Sequence, residues 1–138
     1  MAANEVFSVD KMDFTRAGDV SATIKRTLKL LGVDARVIRR IAVATYEAEI
    51  NLVIHSDGGQ IELHIGDENI LITVSDCGPG IADIERAMVE GYSTASEDAR
   101  NMGFGAGMGL PNMKRNADAF YITSALGVGT TIEMRFDL

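Results

Sequence analysis

A single cysteine, Cys77, occurs in the 138 residues. That excludes an internal disulfide and a zinc site built on cysteines. Its place inside a turn predicts a small buried filler rather than a reactive thiol. Cations are in short supply too, with 13 Lys and Arg against 20 Asp and Glu, a formal charge of -7. A nucleic-acid partner is disfavoured, because phosphate binding relies on clustered Lys and Arg. No apolar stretch approaches the roughly 18 residues that a membrane span needs. The start, Met1-Ala2-Ala3-Asn4-Glu5, lacks the basic and apolar regions of a signal peptide. The expectation is a cytoplasmic protein that binds neither nucleic acid nor membrane. Three familiar loops are missing as well. No Gly-Lys pair occurs, which removes a Walker loop, and Met108 stands where Gly103-Phe104-Gly105 would require the third glycine of a dinucleotide fingerprint. A Gly-x-Ser-x-Gly hydrolase elbow is absent.

What is present reads as one globular domain over 1–138, with 46% hydrophobic and 24% charged residues. The organising stretch is Asp76-Cys77-Gly78-Pro79-Gly80, directly after the apolar run Ile70-Leu71-Ile72-Thr73-Val74-Ser75. A strand ends there, its last position taken by Asp76. Gly78 and Gly80 leave the turn bare enough for a flat ligand to lie on the backbone, and Pro79 stiffens it.

Val6-Phe7-Ser8-Val9 reads as an edge strand. Asp19 is placed to cap a helix with Val20, Ile24, Leu28 and Leu31 on one face and Gly32 as its stop. Lys25, Arg26 and Lys29 fall on other faces, either solvated or a docking surface for an acidic partner. Asp34 opens a second helix that runs to about His55. Glu47, Asn51 and His55 lie four apart and share one stripe. Around them stand Ala42, Val43, Ala44, Ala48, Ile50, Leu52, Val53 and Ile54, so a helix packed on most faces is expected. Two readings of the stripe remain open: mutual or backbone hydrogen bonds, or a ligand site.

A hairpin follows, Ile61 to Ile65 and Ile70 to Ser75 around Gly66-Asp67-Glu68-Asn69. A short helix is expected over 81–88, then an aperiodic loop at 91–101. The glycine cluster Gly103-Phe104-Gly105-Ala106-Gly107-Met108-Gly109 leads into a helix over 110–118, with Pro111 in its first turn. A last hairpin turns at Gly127-Val128-Gly129, with Ile132, Met134 and Phe136 on one face. The order predicts an α+β two-layer sandwich, a mixed, mainly antiparallel sheet with helices on one face.

A triphosphate requires a set of this kind. A glycine loop opening a helix offers N–H groups to phosphates. An amide oxygen together with phosphate oxygens holds Mg²⁺. A carboxylate accepts from an adenine amine.

Glu47-x-x-x-Asn51-x-x-x-His55, Asp76-x-Gly78-x-Gly80, the cluster at 103–109 and Gly129-Thr130-Thr131 resemble the asparagine box, the two glycine boxes and the terminal Gly-Thr of the GHKL ATPases, the superfamily of gyrase, MutL and histidine kinases. The resemblance covers nearly the whole chain and implies a Bergerat-type ATP-binding fold. It is closest to the small stand-alone bacterial serine kinases and anti-sigma factors, the stressosome switch kinase above all. Pro79-Gly80-Ile81-x-Asp83-Ile84 and Glu90-Gly91-Tyr92-Ser93-Thr94 carry that nearer match.

The resemblance implies Glu47 as the carboxylate that activates the attacking serine, Asn51 as the Mg²⁺ ligand and Asp76 as the adenine reader. Gly78 and Gly80 would border the base, Gly103, Gly105, Gly107 and Gly109 the phosphates, and Thr130 would join the adenine network. The implied activity is transfer of the γ-phosphate of Mg-ATP to a serine of a STAS-type antagonist protein, with the loop at 93–107 closing as a lid. The alternative is a non-catalytic, ATP-gated regulator that binds a sigma factor or a phosphatase. A homodimer is an open state under either reading. No phosphoacceptor-histidine helix is present, so an isolated catalytic module is expected rather than a complete sensor kinase.

Overall fold

Period-two alternation collects the apolar residues of the strands on one side of a sheet. The computed structural model of the chain describes residues 3–10, 15–56, 58–78, 80–81, 88 and 109–138. Within them the order is β1 (Ala3–Val9), α1 (Asp19–Leu30), α2 (Ala35–His55), β2 (Gly59–Ile65), β3 (Asn69–Asp76), α3 (Gly109–Asn116), β4 (Ala119–Ala125) and β5 (Gly129–Asp137). The strands lie in the order β1-β2-β3-β5-β4. Every pairing is antiparallel, so the expected mixed sheet has no parallel pair among the described strands. Both hairpins have short loops, and the second returns beside β3 in the opposite sense.

The register aligns the core in rows. Ile61, Val74 and Ile132 are neighbours in one row, Leu63, Ile72 and Met134 in the next, and Ile65, Ile70 and Phe136 in the third. All nine are buried. Ile24 and Leu28 of α1, Ile41, Ala48 and Leu52 of α2, and Met113 of α3 complete the same core. The other sheet face carries Tyr121, Glu133 and Thr131 to solvent. This is the expected α+β two-layer sandwich, with the described helices on one face. Among the described residues no helix is long and apolar enough to cross a membrane.

Asp34 caps α2 as expected, accepting the Arg36 N–H at 2.8 Å. At α1 the sequence reading is corrected. Asp19 is the first helical residue rather than the cap, and the cap position falls to Gly18, with φ of 99° and no side-chain cap bond. Two N–H groups of this helix end are taken by a residue 28 and 29 positions away. Glu49 of α2, 1% exposed, accepts from Val20 N and Ser21 N at 3.1 Å each. A carboxylate at a helix N-terminus satisfies two donors and meets the positive end of the helix dipole.

Other expectations change as well. Leu31 lies beyond the end of α1 and is 46% exposed, whereas Gly32 does take the positive φ of a helix stop. α2 is packed on most faces as expected, and its outer side leaves Val43 and Tyr46 exposed. Cys77 is exposed, not buried filler. The chain leaves the sheet at Asp76, and the inward position of the turn goes to Gly78, packed on Ser56. The expected helix at 81–88, the loop at 91–101, the lid at 93–107 and the side chains of Pro79 and His55 lie outside the described residues, apart from Ile81 and Met88.

Glu49→Ala should lower stability by about 3 kcal/mol in urea unfolding, since it strands two buried N–H donors. Burial pushes the Glu49 carboxyl above its usual 4.5, against the pull of the Val20 and Ser21 N–H groups. The native state therefore holds this proton more tightly than the unfolded chain. Its contribution is fully present below 4.5 and is lost as pH rises through the raised native value. Glu49→Gln does not titrate. The wild-type melting temperature minus that of Glu49→Gln is expected to fall as pH rises from 4.5 towards neutrality; a difference that grows would reverse the assignment.

Candidate functional site

Spacing by four places Glu47 and Asn51 on one half-buried stripe of α2. The first turn of α3 lies against it. A Cβ built on Gly109 would stand 3.1 Å from Asn51 Oδ1, 3.3 Å from Asn51 Nδ2 and 3.4 Å from Glu47 Oε2. A side chain there would press on the Asn51 amide and the Glu47 carboxylate and shift them. Three residues on, Asn112 donates from Nδ2 to Glu47 Oε1 at 3.4 Å. The Asn51 amide has no hydrogen-bond partner among the described residues. An amide, a carboxylate and the N-terminus of a helix, whose first N–H groups have no intrahelical acceptor, thus meet at one point.

The other end of α3 is latched to the same helix. Arg40 Nε donates to the Asn116 carbonyl at 2.9 Å, and its guanidinium pairs with Asp118 Oδ1 at 2.9 Å. The Asp137 N–H, 2.7 Å from Asp118 Oδ2, together with Arg40 holds the Asp118 carboxyl below the usual carboxylate range. α3 is therefore positioned on α2 from both ends.

A second cluster forms where the sheet ends. Asp76, last residue of β3, accepts from Gly78 N at 3.0 Å and from Thr130 N at 2.9 Å, both on Oδ1. Its Oδ2 accepts nothing among the described residues. The Thr130 hydroxyl lies 2.8 Å from Ser124 Oγ, which accepts the Ile81 N–H at 2.7 Å. Gly80 has φ of 79°, and a Cβ there would lie 2.5 Å from the Ala125 carbonyl oxygen. Gly129 has φ of 144° and no room for a Cβ against the Asp76 carbonyl. The bareness of Gly78 and Gly80 thus serves the close approach of chain segments, Gly78 to Ser56 and Gly80 to the hairpin between β4 and β5.

Of the expected site residues, Glu47, Asn51 and Gly109 come together at one end, and Asp76, Gly78, Gly80 and Thr130 at the other. α2 joins the two ends. From Glu47 to Ser56, which packs on Gly78, it rises about 13 Å. Gly103, Gly105 and Gly107 lie outside the described residues. The sequence reading missed Ser124, Asn112 and Arg40. Ser124 continues the alternation of Phe120 and Ile122, a signal that was available. Asn112 and Arg40 had none, since their partners are 65 and 76 residues away.

Comparison with known proteins gives the family and agrees with the fold. The family model described as "Histidine kinase-, DNA gyrase B-, and HSP90-like ATPase" matches residues 36–138. The serine/threonine-protein kinase RsbT of Bacillus subtilis is 34% identical over 113 residues, 79% of each chain. An anti-sigma F factor of Caldanaerobacter subterraneus is 35% identical over 102 residues, 70% of this chain and 68% of that protein. Among solved structures, the RsbU and RsbW domains of Rv1364c from Mycobacterium tuberculosis superpose with a TM-score of 0.66 at 19% identity. That match covers 97% of this chain and 32% of theirs. It establishes the fold.

Asp76→Ala should cost about 2 kcal/mol, because the Gly78 and Thr130 N–H groups lose their acceptor. Asp76→Asn keeps an oxygen for both donors and is expected to lose less than half of that in the same urea titration. Equal losses would mean that charge, not the acceptor, holds the turn.

Proposed function

The chain belongs to the histidine kinase-, DNA gyrase B- and HSP90-like ATPases, and on that premise we propose that it is an ATP-dependent protein-serine kinase of a bacterial partner-switching pathway. Its acceptor is a serine on a STAS-type antagonist protein in the cytoplasm. The observation that carries the reading is the pairing of Glu47 with Asn51 against Gly109, on a helix whose far end reaches the Asp76 cluster. Similarity to the kinase RsbT supports the reaction class. Residues 1–138 act as one catalytic domain.

Each residue has a role that its surroundings fit. Asp76 spends one oxygen on the turn and keeps the other for the exocyclic amine of adenine, with Thr130 beside it. The N–H groups opening α3 at Gly109 would face the phosphates; for Gly103, Gly105 and Gly107, outside the described residues, the same role rests on the family resemblance alone. The unpartnered amide of Asn51 is an oxygen donor suited to Mg²⁺, which keeps few protein ligands and several water or phosphate oxygens. Bound there, Mg²⁺ would supply charge neutralisation at the phosphates. Glu47, held by Asn112, takes the proton of the serine hydroxyl as that oxygen bonds to the γ-phosphorus and ADP departs. Similarity to anti-sigma F factors favours a second reading, a regulator that binds ATP and a sigma factor without transfer.

The test is transfer from γ-labelled ATP with Mg²⁺ into a purified STAS-domain antagonist. Wild type should label it, and Glu47→Ala and Asn51→Ala should each lose at least about a hundredfold. Asp76→Asn should stay folded yet lose the rise in melting temperature that Mg-ATP gives by binding linkage. Undiminished transfer by Asn51→Ala overturns the phosphate-end assignment. A wild type that is stabilised by Mg-ATP but transfers nothing is the ATP-gated regulator.

A further inference from the structure

The helix layer has a second concavity on its outer side. A groove of about 650 Å³ runs between α1 and α2. Lys25 and Lys29 of α1 line one wall; Arg39, Val43 and Tyr46 of α2 line the other, and Glu47 closes one end. The spacing makes these continuous stripes, because Lys25 and Lys29 are four apart and Arg39, Val43 and Glu47 follow at intervals of four.

Three features of the groove need a common explanation. Val43 is 39% exposed and Tyr46 38% exposed, so an apolar strip lies uncovered along its wall. Lys25, Lys29 and Arg39 have no ion-pair partner among the described residues. They gather in one place in a chain whose net charge is -7. Neighbouring like charges repel, and an acidic occupant removes that cost while covering the strip. The groove also leads directly to the carboxylate that meets the acceptor serine. A protein acceptor has to contact the surface next to that carboxylate, and among the described residues this groove adjoins it with both apolar area and cations that have no ion-pair partner.

We infer that the groove docks the acceptor protein through an acidic segment, one that carries carboxylates on either side of an apolar side chain. The inference rests on the kinase reading for where the serine goes; the docking itself does not need transfer to occur.

The probe is a purified STAS-domain antagonist. Its binding is measured by calorimetry with Mg-ADP present and its labelling with Mg-ATP, each over a range of salt. The variants are Lys25→Glu with Lys29→Glu and Arg39→Glu together, the same three changed to Gln, and Arg26→Glu, an exposed cation of α1 outside the groove. Retained melting temperature and retained Mg-ADP affinity identify folded samples. The triple Glu variant should raise Kd and KM for the antagonist at least about tenfold and flatten their salt dependence, with kcat at saturation unchanged. The Gln triple should fall between it and wild type, and Arg26→Glu should match wild type. Wild-type binding by the triple Glu variant overturns the inference. So does an equal loss in Arg26→Glu, which would reduce the effect to net charge, and so does an antagonist that fails to bind wild type. Groove-dependent binding without label transfer leaves the docking site standing and removes the kinase reading.

Discussion

Burial of α2 along the sheet constrains everything around it. Ile41, Ala48 and Leu52 fix which side of the helix meets the strands. A helix turns by a set angle per residue, so every other direction is then decided. Glu49 is carried towards α1, where it accepts the Val20 and Ser21 N–H groups. Glu47 and Asn51 are carried towards Gly109 of α3. Arg40, further back, reaches the far end of α3. The charged and amide side chains of one helix thus place two neighbouring helices, and Glu47 shares its rigid body with both latches.

The second half of the site is a continuation of the core. Rows of Ile, Leu, Val and Met cross the inner sheet face until the register reaches Gly59 and Asp76 in one hairpin and Ser124 and Thr130 in the other. There the row turns polar, yet it is still covered by the end of α2 through Ser56. Buried polar groups require partners, and Asp76 Oδ1, Thr130 and Ser124 supply them to one another and to the Gly78 and Ile81 N–H groups. What they leave over is one carboxylate oxygen. A site made this way is rigid before any ligand arrives, because the hydrogen bonds that hold the turn are the ones that aim Asp76.

Local charge and total charge carry different information in this molecule. The excess of acid argues against nucleic acid over the whole surface, yet α1 and α2 bring Lys25, Lys29 and Arg39 together beside uncovered Val43 and Tyr46. That one basic and apolar place, rather than the overall charge, is what an acidic segment of a partner protein would meet.

The sequence by itself determined the class of fold and the family. Periodicity separates helix from strand over windows of a few residues, and Glu47, Asn51, Asp76 and Gly109 stand in motifs whose order along the chain is itself the signal. It determined the apolar face of β5 and the start of α2 for the same reason, that both depend on neighbours within one turn or one strand. The tertiary structure alone decided the rest. Glu49 as the cap of α1 in place of Asp19, Arg40 and Asn112 as the fixings of α3, the exposure of Cys77 and Leu31, and the antiparallel pairing of β1 with β2 and of β3 with β5 depend on contacts made only in the folded chain. Gly78 and Gly80 show the difference within a single motif: their identity was legible, but what they make room for was decided by Ser56 and the β4–β5 hairpin. Spacing carries the direction of a side chain on its own element, and only packing supplies what stands opposite.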